Sequence, residues 1–272
     1  DTSVESGNVL GKITFNAPDE SSGTDALLDG AAIEAVSEGT FSSSVNSTAL
    51  VFKTNTSAAA TERFRIASDG SLSTTTAGTS NVRFGVNAGD AIVSGGNYNV
   101  LIGDEAGTDL TTGDNNTFVG YASGQNVVAA DQNVAFGYAT LATDTEGEKS
   151  TAIGYSALSA QNFTTATDSN NTAVGYHAGL AVTTGTRNTL IGSLSGDAIT
   201  TGMENTVVGY YALSSETKGD RNVAIGNGAL FSQNFTTNTD SYNTAVGYDA
   251  GLLVTTGINN TLIGGGAGDA LT

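Results

Sequence analysis

Two pairs of neighbouring carboxylates are the side chains of this 272-residue chain best suited to catalysis. The pairs are Asp104/Glu105 and Asp144/Glu146, and two carboxyl groups flanking a sugar linkage would supply the acid and the nucleophile of a glycoside hydrolase. Neither pair recurs as a pair at the equivalent place of the next repeat, and no tryptophan is present to stack on a sugar. We interpret both pairs as solvated turn residues, assign no catalytic residue and expect no enzyme.

His177 is the only histidine of the chain, and Asp249 occupies its position in the next repeat. A serine nucleophile needs a histidine base together with an orienting carboxylate, and no such set can be proposed around one unpaired histidine. A position that exchanges His for Asp is predicted to be exposed on a turn.

Asp-rich turns, for example residues 112–116 (TGDNN), carry the oxygen ligands that calcium prefers. Their spacing does not match the nonapeptide calcium repeat, and the glycine-rich turns lack the strand, GxxxxGK[ST] and helix of a phosphate-binding loop. The chain has 0 Cys, which excludes disulfides and thiolate chemistry. The sequence therefore predicts no metal and no cofactor.

Tyrosine and threonine recur at fixed places in the repeats. The tyrosines would form either a sugar-contacting stripe or a structural stack at a turn, and we favour the stack. The Thr-Thr pairs occur in only some repeats, so a continuous ice-binding plane is not expected. The tyrosines are Tyr121, Tyr138, Tyr155, Tyr176, Tyr210 and Tyr248, and the pairs begin at Thr111, Thr183, Thr200 and Thr255.

The formal net charge is −18, from 27 acidic and 9 basic residues. Nucleic acid is excluded as a partner because phosphate binding needs clustered Lys and Arg. No apolar run of about 18 residues occurs, so membrane insertion is not expected. The composition includes 36 Gly and 1 Pro, and the 38% of hydrophobic residues fall periodically, which argues against disorder.

A repeat positions all of these residues. Residues 171–200 return as residues 243–272, with 22 of 30 positions identical. The usual unit is a 17-residue one, and two 21-residue units carry the equivalent insertions QNFTTATDS and QNFTTNTDS. Each unit is thus one coil, and four coils make a 72-residue superrepeat. The eleven units begin at Asn81, Asn99, Asn116, Asn133, Ser150, Asn171, Asn188, Asn205, Asn222, Asn243 and Asn260.

The columns of the repeat predict roles for each position. Position 1 is Asn in ten of eleven units, which predicts a hydrogen-bonded ladder, and position 5 is Gly in all eleven, which predicts a positive φ or a close approach. Positions 2 and 4 are β-branched, aliphatic or Phe, share one strand face and are expected to point into the coil. Position 3 is apolar in ten of eleven units. We expect it to face outward and to be buried against copies of the chain, although a broad solenoid with both faces inside one chain is an alternative.

These patterns predict an all-β protein in two parts. Residues 1–80 are predicted to form a small β-rich domain with strands at 10–16, 49–54 and 62–67, an ambiguous segment at 31–36 and a turn at 17–22 that holds Pro18. Residues 68–71 (SDGS) predict a tight turn, and residues 71–80 a polar junction. Residues 81–272 are predicted to form a parallel β-solenoid, or β-roll, of about eleven 17-residue coils stacked about 4.8 Å apart.

Two resemblances extend this interpretation. Units such as residues 222–226 (NVAIG), followed by Ala229, resemble the head repeats of trimeric autotransporter adhesins, which are trimers of left-handed parallel β-rolls. Residues 33–39 (IEAVSEG), 49–54 (ALVFKT) and 61–70 (TERFRIASDG) resemble phage tail fibres of the marine-phage type. The second match is the more specific, and together they cover most of the chain.

The resemblances imply a homotrimeric, non-enzymatic fibre. The leading expectation is a virion tail-fibre segment that serves as a shaft or a host-binding rod. Its partners would be two further copies, other tail proteins bound through residues 1–80, and a glycan or protein of the host surface. A bacterial cell-surface adhesin or extracellular filament subunit is the alternative, and a polysaccharide-degrading tailspike is a second one.

Overall fold

The computed structural model describes residues 3–16, 29–55, 59–75 and 77–272. The chain divides into two compact units, Asp1–Thr76 and Ala77–Thr272, whereas the sequence placed the boundary after residue 80. The described residues of both units are all-β and include no helix, as predicted. The turn predicted around Pro18 lies outside the described residues.

The first unit is a five-stranded antiparallel sheet with its strands in chain order. The segment at residues 31–36, ambiguous in sequence, lies in its second strand. The sequence assigned residues 71–80 to a polar junction, but the fifth strand lies within them. The chain reverses direction at Asp69 and Gly70, where Gly70 has a φ of 84°, and this turn brings the following residues back alongside the fourth strand. The strands are β1 (Val9–Asn16), β2 (Asp29–Ser37), β3 (Thr48–Thr54), β4 (Thr61–Ile66) and β5 (Leu72–Thr74).

The two faces of this sheet differ in chemistry because side chains alternate along each strand. On one face the register aligns Ile13, Ile33, Phe52 and Phe64 in a row across four strands. On the other face the nearly buried Glu34 lies between Lys12 at 3.5 Å and Lys53 at 2.6 Å. One face is therefore apolar, and the other carries both the ion pairs of Glu34 and the buried apolar cluster of Val36, Ala49 and Val51.

The second unit is a parallel β-solenoid of eleven coils, which confirms the predicted architecture. Each coil contributes one three-residue strand at positions 2–4, and equivalent positions pair from coil to coil. The strands are β6 (Val82–Phe84), β7 (Val100–Ile102), β8 (Thr117–Val119), β9 (Val134–Phe136), β11 (Thr151–Ile153), β13 (Thr172–Val174), β14 (Thr189–Ile191), β15 (Thr206–Val208), β17 (Val223–Ile225), β19 (Thr244–Val246) and β20 (Thr261–Ile263).

The two 21-residue coils form additional short parallel pairs with the coils before them. Strand β10 (Gly147–Glu148) pairs with β12 (Thr167–Asp168), and β16 (Gly219–Asp220) pairs with β18 (Thr239–Asp240). Each insertion thus returns to the register of the stack after an exposed loop at residues 164–166 or 236–238.

The asparagine of position 1 forms the predicted ladder inside the coil. The backbone N–H of Asn205 donates to Oδ1 of Asn188 at 3.0 Å, and Nδ2 of Asn188 donates to the carbonyl of Gly202 at 2.9 Å. At a 21-residue coil a glutamine takes over this contact, since Oε1 of Gln161 accepts from Nδ2 of Asn171 at 2.9 Å. Each buried amide therefore joins its own coil to the next one.

The glycine of position 5 needs both a positive φ and a close approach, as the sequence predicted. Gly192 has a φ of 129°, and a Cβ added there would lie 2.6 Å from the carbonyl oxygen of Gly209 in the next coil. The glycine column therefore sets the distance at which successive turns can stack.

The predicted facing of the strands is wrong. Position 3 points into the coil, and nine of its eleven residues are fully buried within this single chain, whereas positions 2 and 4 point outward. The interior is narrow, so a large residue at position 3 needs a glycine at position 9. A Cβ on Gly124, for example, would lie 2.5 Å from Cε2 of Phe118. Position 3 is therefore core of one coil and is not available to another copy.

Four coils fill this interior differently. They have leucine at position 9, held in the left-handed region with φ between 47° and 52°, and a buried polar residue at position 12 in place of an aliphatic one. A left-handed leucine is strained by about 1–2 kcal/mol, which its burial offsets. The pairs are Leu141 with Asp144, Leu158 with Gln161, Leu213 with Glu216, and Leu230 with Gln233.

We expect Asn188→Ala to lower the free energy of unfolding by about 3 kcal/mol, because it removes three side-chain hydrogen bonds and leaves buried backbone groups of two coils without partners. Denaturant titration would measure the change. Asn227→Ala, on the exposed position 6 of another coil, is the matched control and should lie within about 0.5 kcal/mol of the wild type. Equal effects of the two substitutions would contradict the ladder's role.

Candidate interaction surface

The outward side of the eleven-stranded sheet is an uncharged, largely apolar surface. Position 4 is aliphatic or Phe in every coil, and position 2 is Val or Thr in every coil. The side chains at position 4 remain substantially exposed, for example Phe136 at 55%, Ile153 at 37% and Ile191 at 39%. We name positions 2 and 4 of the eleven coils the strand face.

The strand face is larger than chance exposure of single residues would produce. Eleven strands spaced about 4.8 Å apart, each about 10 Å long, give a continuous area of roughly 500 Å². The largest apolar patch of a typical monomeric protein is about 300–600 Å² and is often functional, and the strand face lies in that range. The strand face is therefore the main candidate for function in the second unit.

The tyrosines of position 6 border the strand face and stack on one another. Ring centroids lie 5.3 Å apart for Tyr121 and Tyr138, 4.8 Å for Tyr138 and Tyr155, and 5.5 Å for Tyr155 and Tyr176. Because the rings cover each other's faces, a sugar would meet mainly ring edges and hydroxyl groups in these four coils. The row is a structural stack whose outer edge is half-exposed.

His177 lies at the end of this stack and is only partly exposed. Its ring centroid is 3.8 Å from that of Tyr176 and 5.6 Å from that of Tyr155. Its φ is 55°, a left-handed turn conformation that Asp249 shares with φ of 51° in the equivalent coil. The histidine thus packs on aromatic rings at a turn.

The carboxylates of the first acidic pair bond to neighbouring coil residues. Asp104 accepts the backbone N–H of Val86 at 3.0 Å, while Glu105 accepts from Nδ2 of Asn87 at 2.9 Å and from the hydroxyl of Thr108 at 3.0 Å. The contacts with Val86 and Asn87 hold the turn of one coil against that of the coil before it, and the contact with Thr108 lies within the turn.

Asp144 was interpreted as a solvated turn residue, and this prediction is wrong because its side chain is fully buried. Its carboxylate accepts backbone N–H groups of Gly147 at 3.1 Å and Phe163 at 3.0 Å, and Nε2 of Gln161 at 2.5 Å. Glu146, the other member of the pair, is half-buried on the outside of the coil. The two carboxylates therefore do not share one site.

The same arrangement recurs one superrepeat later at Glu216. Its carboxylate accepts backbone N–H groups of Gly219 at 2.7 Å and Phe235 at 3.0 Å, and Nε2 of Gln233 at 2.8 Å. In both places the buried acid precedes a 21-residue coil and binds the backbone where the insertion begins. The acid, the glutamine and the insertion together form one anchoring unit, which the sequence signalled only through their shared superrepeat spacing.

Threonines at position 13 use their hydroxyl groups within the stack. The Thr111 hydroxyl donates to the carbonyl of Val128 at 3.0 Å, that of Thr183 to Thr200 at 3.1 Å, and that of Thr200 to Thr217 at 3.0 Å. Since these groups already bind the next coil, they are not presented as a free hydroxyl array.

In the Asp-rich turn at residues 112–116, Oδ1 of Asp114 accepts the backbone N–H of Asn97 at 2.6 Å. In the described part of the chain no three His, Cys, Asp or Glu side chains converge as a metal site would require. The turn carboxylate thus has a structural partner in the preceding coil.

An alternating row of charges at position 17 was not foreseen from the sequence. Glu204 lies between Arg187 at 2.8 Å and Arg221 at 2.8 Å, and Arg221 also pairs with Asp240. The Arg187 and Arg221 guanidinium groups hold the pKa of Glu204 below its usual value, with the hydrogen bond from Arg187 as the main cause. These exposed pairs reinforce the coil register without building a pocket.

Ala224 and Ile225 are neighbours on β17, and we expect Ala224→Asp to disrupt folding and Ile225→Asp to leave the fold intact. Ala224 is fully buried, so a carboxylate there should cost about 3–5 kcal/mol and abolish the strand signal in circular dichroism or shift unfolding to much lower denaturant. Ile225 lies on the strand face, so Ile225→Asp should keep the folded spectrum. The reverse result would restore the facing first predicted from the sequence.

Burial raises the pKa of the Asp144 carboxyl despite its N–H donors. The folded state therefore binds a proton more readily than the unfolded chain, whose Asp pKa is about 3.9. Stability due to this group should fall as the pH rises through the window above that value. Denaturant titrations between pH 4 and pH 7 should show the wild type losing stability relative to Asp144→Asn, and a rising difference would contradict the assignment.

None of the protein-family models, curated protein sequences or solved structures matches this chain. The described residues also contain no helix that is long and apolar enough to pass through a membrane. The strand face, and the stack of coils that presents it, are the features of the described residues that suggest a function.

Proposed function

We propose that this chain is a segment of a homotrimeric phage tail fibre, acting as a stiff shaft or a host-surface-binding rod. The observation that carries the proposal is the strand face, an uncharged surface of aliphatic, Phe and Thr side chains that continues through all eleven coils. Three copies would cover these faces around a common axis, and the resemblance of residues 33–39, 49–54 and 61–70 to tail fibres supplies the viral setting.

The distribution of charge supports association through this face. The chain carries a net charge of −18, so the polar surfaces of two copies repel one another. Positions 2 and 4 carry no charged residue in any coil, and they are the place where copies can approach without that cost. The first prediction gave this role to position 3, which is buried inside each chain.

The protein would act through the stiffness of the rod and through many weak contacts whose binding free energies add. Asparagine and glutamine amides join successive coils, and threonine hydroxyls and charged pairs add contacts between some of them, which suits a rod that resists bending and proteolysis. Exposed turns and the loops at residues 164–166 and 236–238 would present weak contacts to a host glycan or protein, and such contacts sum across three chains.

The first test is the mass of the protein in solution. Light scattering should give three times the chain mass, and the double variant Ile153→Asp/Ile191→Asp should be monomeric because it places charges on the strand face. The control Thr143→Asp/Thr184→Asp adds the same charge on exposed positions elsewhere on the coil and should stay trimeric. A monomeric wild type at micromolar concentration would overturn the trimer.

The location of the protein distinguishes the phage tail fibre from the bacterial adhesin alternative. Gold-labelled antibodies against the purified chain should decorate the tail fibres of virions. Decoration of bacterial cell surfaces in a culture free of phage would favour the adhesin.

A further inference from the structure

We propose that the stacked tyrosines of the solenoid are a site of oxidative cross-linking, at which a haem peroxidase and hydrogen peroxide join the rings of Tyr138 and Tyr155 into a dityrosine. Both rings belong to one chain, so the inference does not depend on the proposed trimer or on its viral setting. The product joins two successive coils covalently on the outside of the rod. The second of these coils begins with Ser150 in place of the ladder asparagine.

The composition of the chain directs one-electron oxidation to tyrosine. Cysteine and methionine usually take up oxidants, and the chain has 0 Cys, 0 Trp and 1 Met. It has 9 Tyr, and their rings include a stack of four in consecutive coils, in which each ring is between 47% and 51% exposed. An oxidant in solution therefore has access to them. The four are Tyr121, Tyr138, Tyr155 and Tyr176.

The geometry of the stack favours one pair. The rings of Tyr138 and Tyr155 have the shortest centroid distance of the stack, 4.8 Å, and the most nearly parallel planes, at 7°. The pairs on either side are 5.3 Å and 5.5 Å apart at 17° and 25°, and the ring of His177 lies 3.8 Å from that of Tyr176. Because the paired strands β9 and β11 hold equivalent positions side by side, like atoms of the two favoured rings lie opposite each other.

Two other tyrosine sites have a different geometry. The rings of Tyr210 and Tyr211 are 4.3 Å apart but inclined at 63°, so the edge of one ring points at the face of the other. Tyr248 is 65% exposed, more than any ring of the stack, and the equivalent positions of the coils beside it hold Asn227 and Gly265. These sites offer proximity without parallel rings and exposure without a stacked tyrosine.

The coupling reaction balances with hydrogen peroxide as the oxidant. The peroxidase removes one electron from each phenol, and each O–H proton leaves, so that two tyrosyl radicals form. The unpaired electrons spread onto the Cε carbons beside the oxygen-bearing carbon, and two Cε atoms form a new C–C bond. The hydrogen of each coupled carbon then moves to the phenol oxygen as a proton, which restores both aromatic rings. Two tyrosines and one hydrogen peroxide thus give one dityrosine and two waters.

The contribution of the fold to this reaction is proximity. Two reacting groups that are held side by side react as one molecule, at an effective concentration far above that of groups on separate molecules. A radical on Tyr138 therefore meets Tyr155 before it meets a ring of another copy at micromolar concentration. The half-exposed outer edges leave the two rings room to tilt toward each other as the bond forms.

The test is oxidation of the full-length chain at micromolar concentration with a haem peroxidase and a limiting amount of hydrogen peroxide. The band of single-chain mass on a denaturing gel is then digested with trypsin, which cuts after Lys149, between the two tyrosines. Mass spectrometry should find the peptides of Tyr138 and Tyr155 joined, with a loss of two hydrogen atoms. Because the link closes a loop in the chain, the oxidised protein should also unfold at a higher denaturant concentration than the untreated protein.

Tyr155→Phe keeps a ring in the stack and removes the phenol, so it should abolish both the joined peptides and the rise in the unfolding midpoint. The matched control Tyr248→Phe removes an exposed phenol outside the stack and should leave both results unchanged. Coupling of Tyr210 with Tyr211 in place of the stack, cross-links found only between chains, or the absence of any dityrosine would each overturn the inference.

Discussion

The whole solenoid depends on how a buried asparagine divides its hydrogen bonds between two coils. A 17-residue coil is too thin to bury much apolar surface, so its turns must be held by groups that cost free energy if left unpaired. Oδ1 of Asn188 accepts from the next coil while Nδ2 binds the carbonyl of Gly202 in its own coil. The glycine of position 5 lets adjacent turns approach closely enough for that bond to form. The register of the strands, the spacing of the coils and the flatness of the strand face all follow from this contact.

Much of this architecture was predictable because the relevant residues repeat in columns. Asn188 and Gly192 have one physical role each, and their recurrence indicated it. The facing of the strands was not predictable from polarity, since positions 2, 3 and 4 are apolar or β-branched in every coil except the first, where position 3 is Arg83. The sizes of the side chains held the missing information. A large residue at position 3, such as Phe118, occurs with a glycine at position 9, here Gly124. Only residues that share one interior need such a pairing.

Other features left weaker signals. Left-handed residues such as Ala122 and Arg187, with φ of 53° and 57°, are not glycines, so nothing in the sequence marked their conformation. Asp144 resembled a turn acid until its burial showed a carboxylate binding the start of an insertion. The acidity of the chain therefore has two physical meanings: exposed carboxylates keep copies apart, and buried ones hold irregular backbone in place.

The interruption of the asparagine ladder at the 21-residue coils has a consequence for growth of the rod. Gln161 and Gln233 complete the contact at the same point of each superrepeat, so the ladder resumes in identical register after every insertion. A superrepeat is thus a complete structural unit whose first and last coils offer the same hydrogen-bonding positions to their neighbours. Duplication of one superrepeat would lengthen the rod by about 19 Å, or four coils, without altering its neighbours or the continuity of its outer face. Gene duplication can therefore change the length of the rod by whole superrepeats.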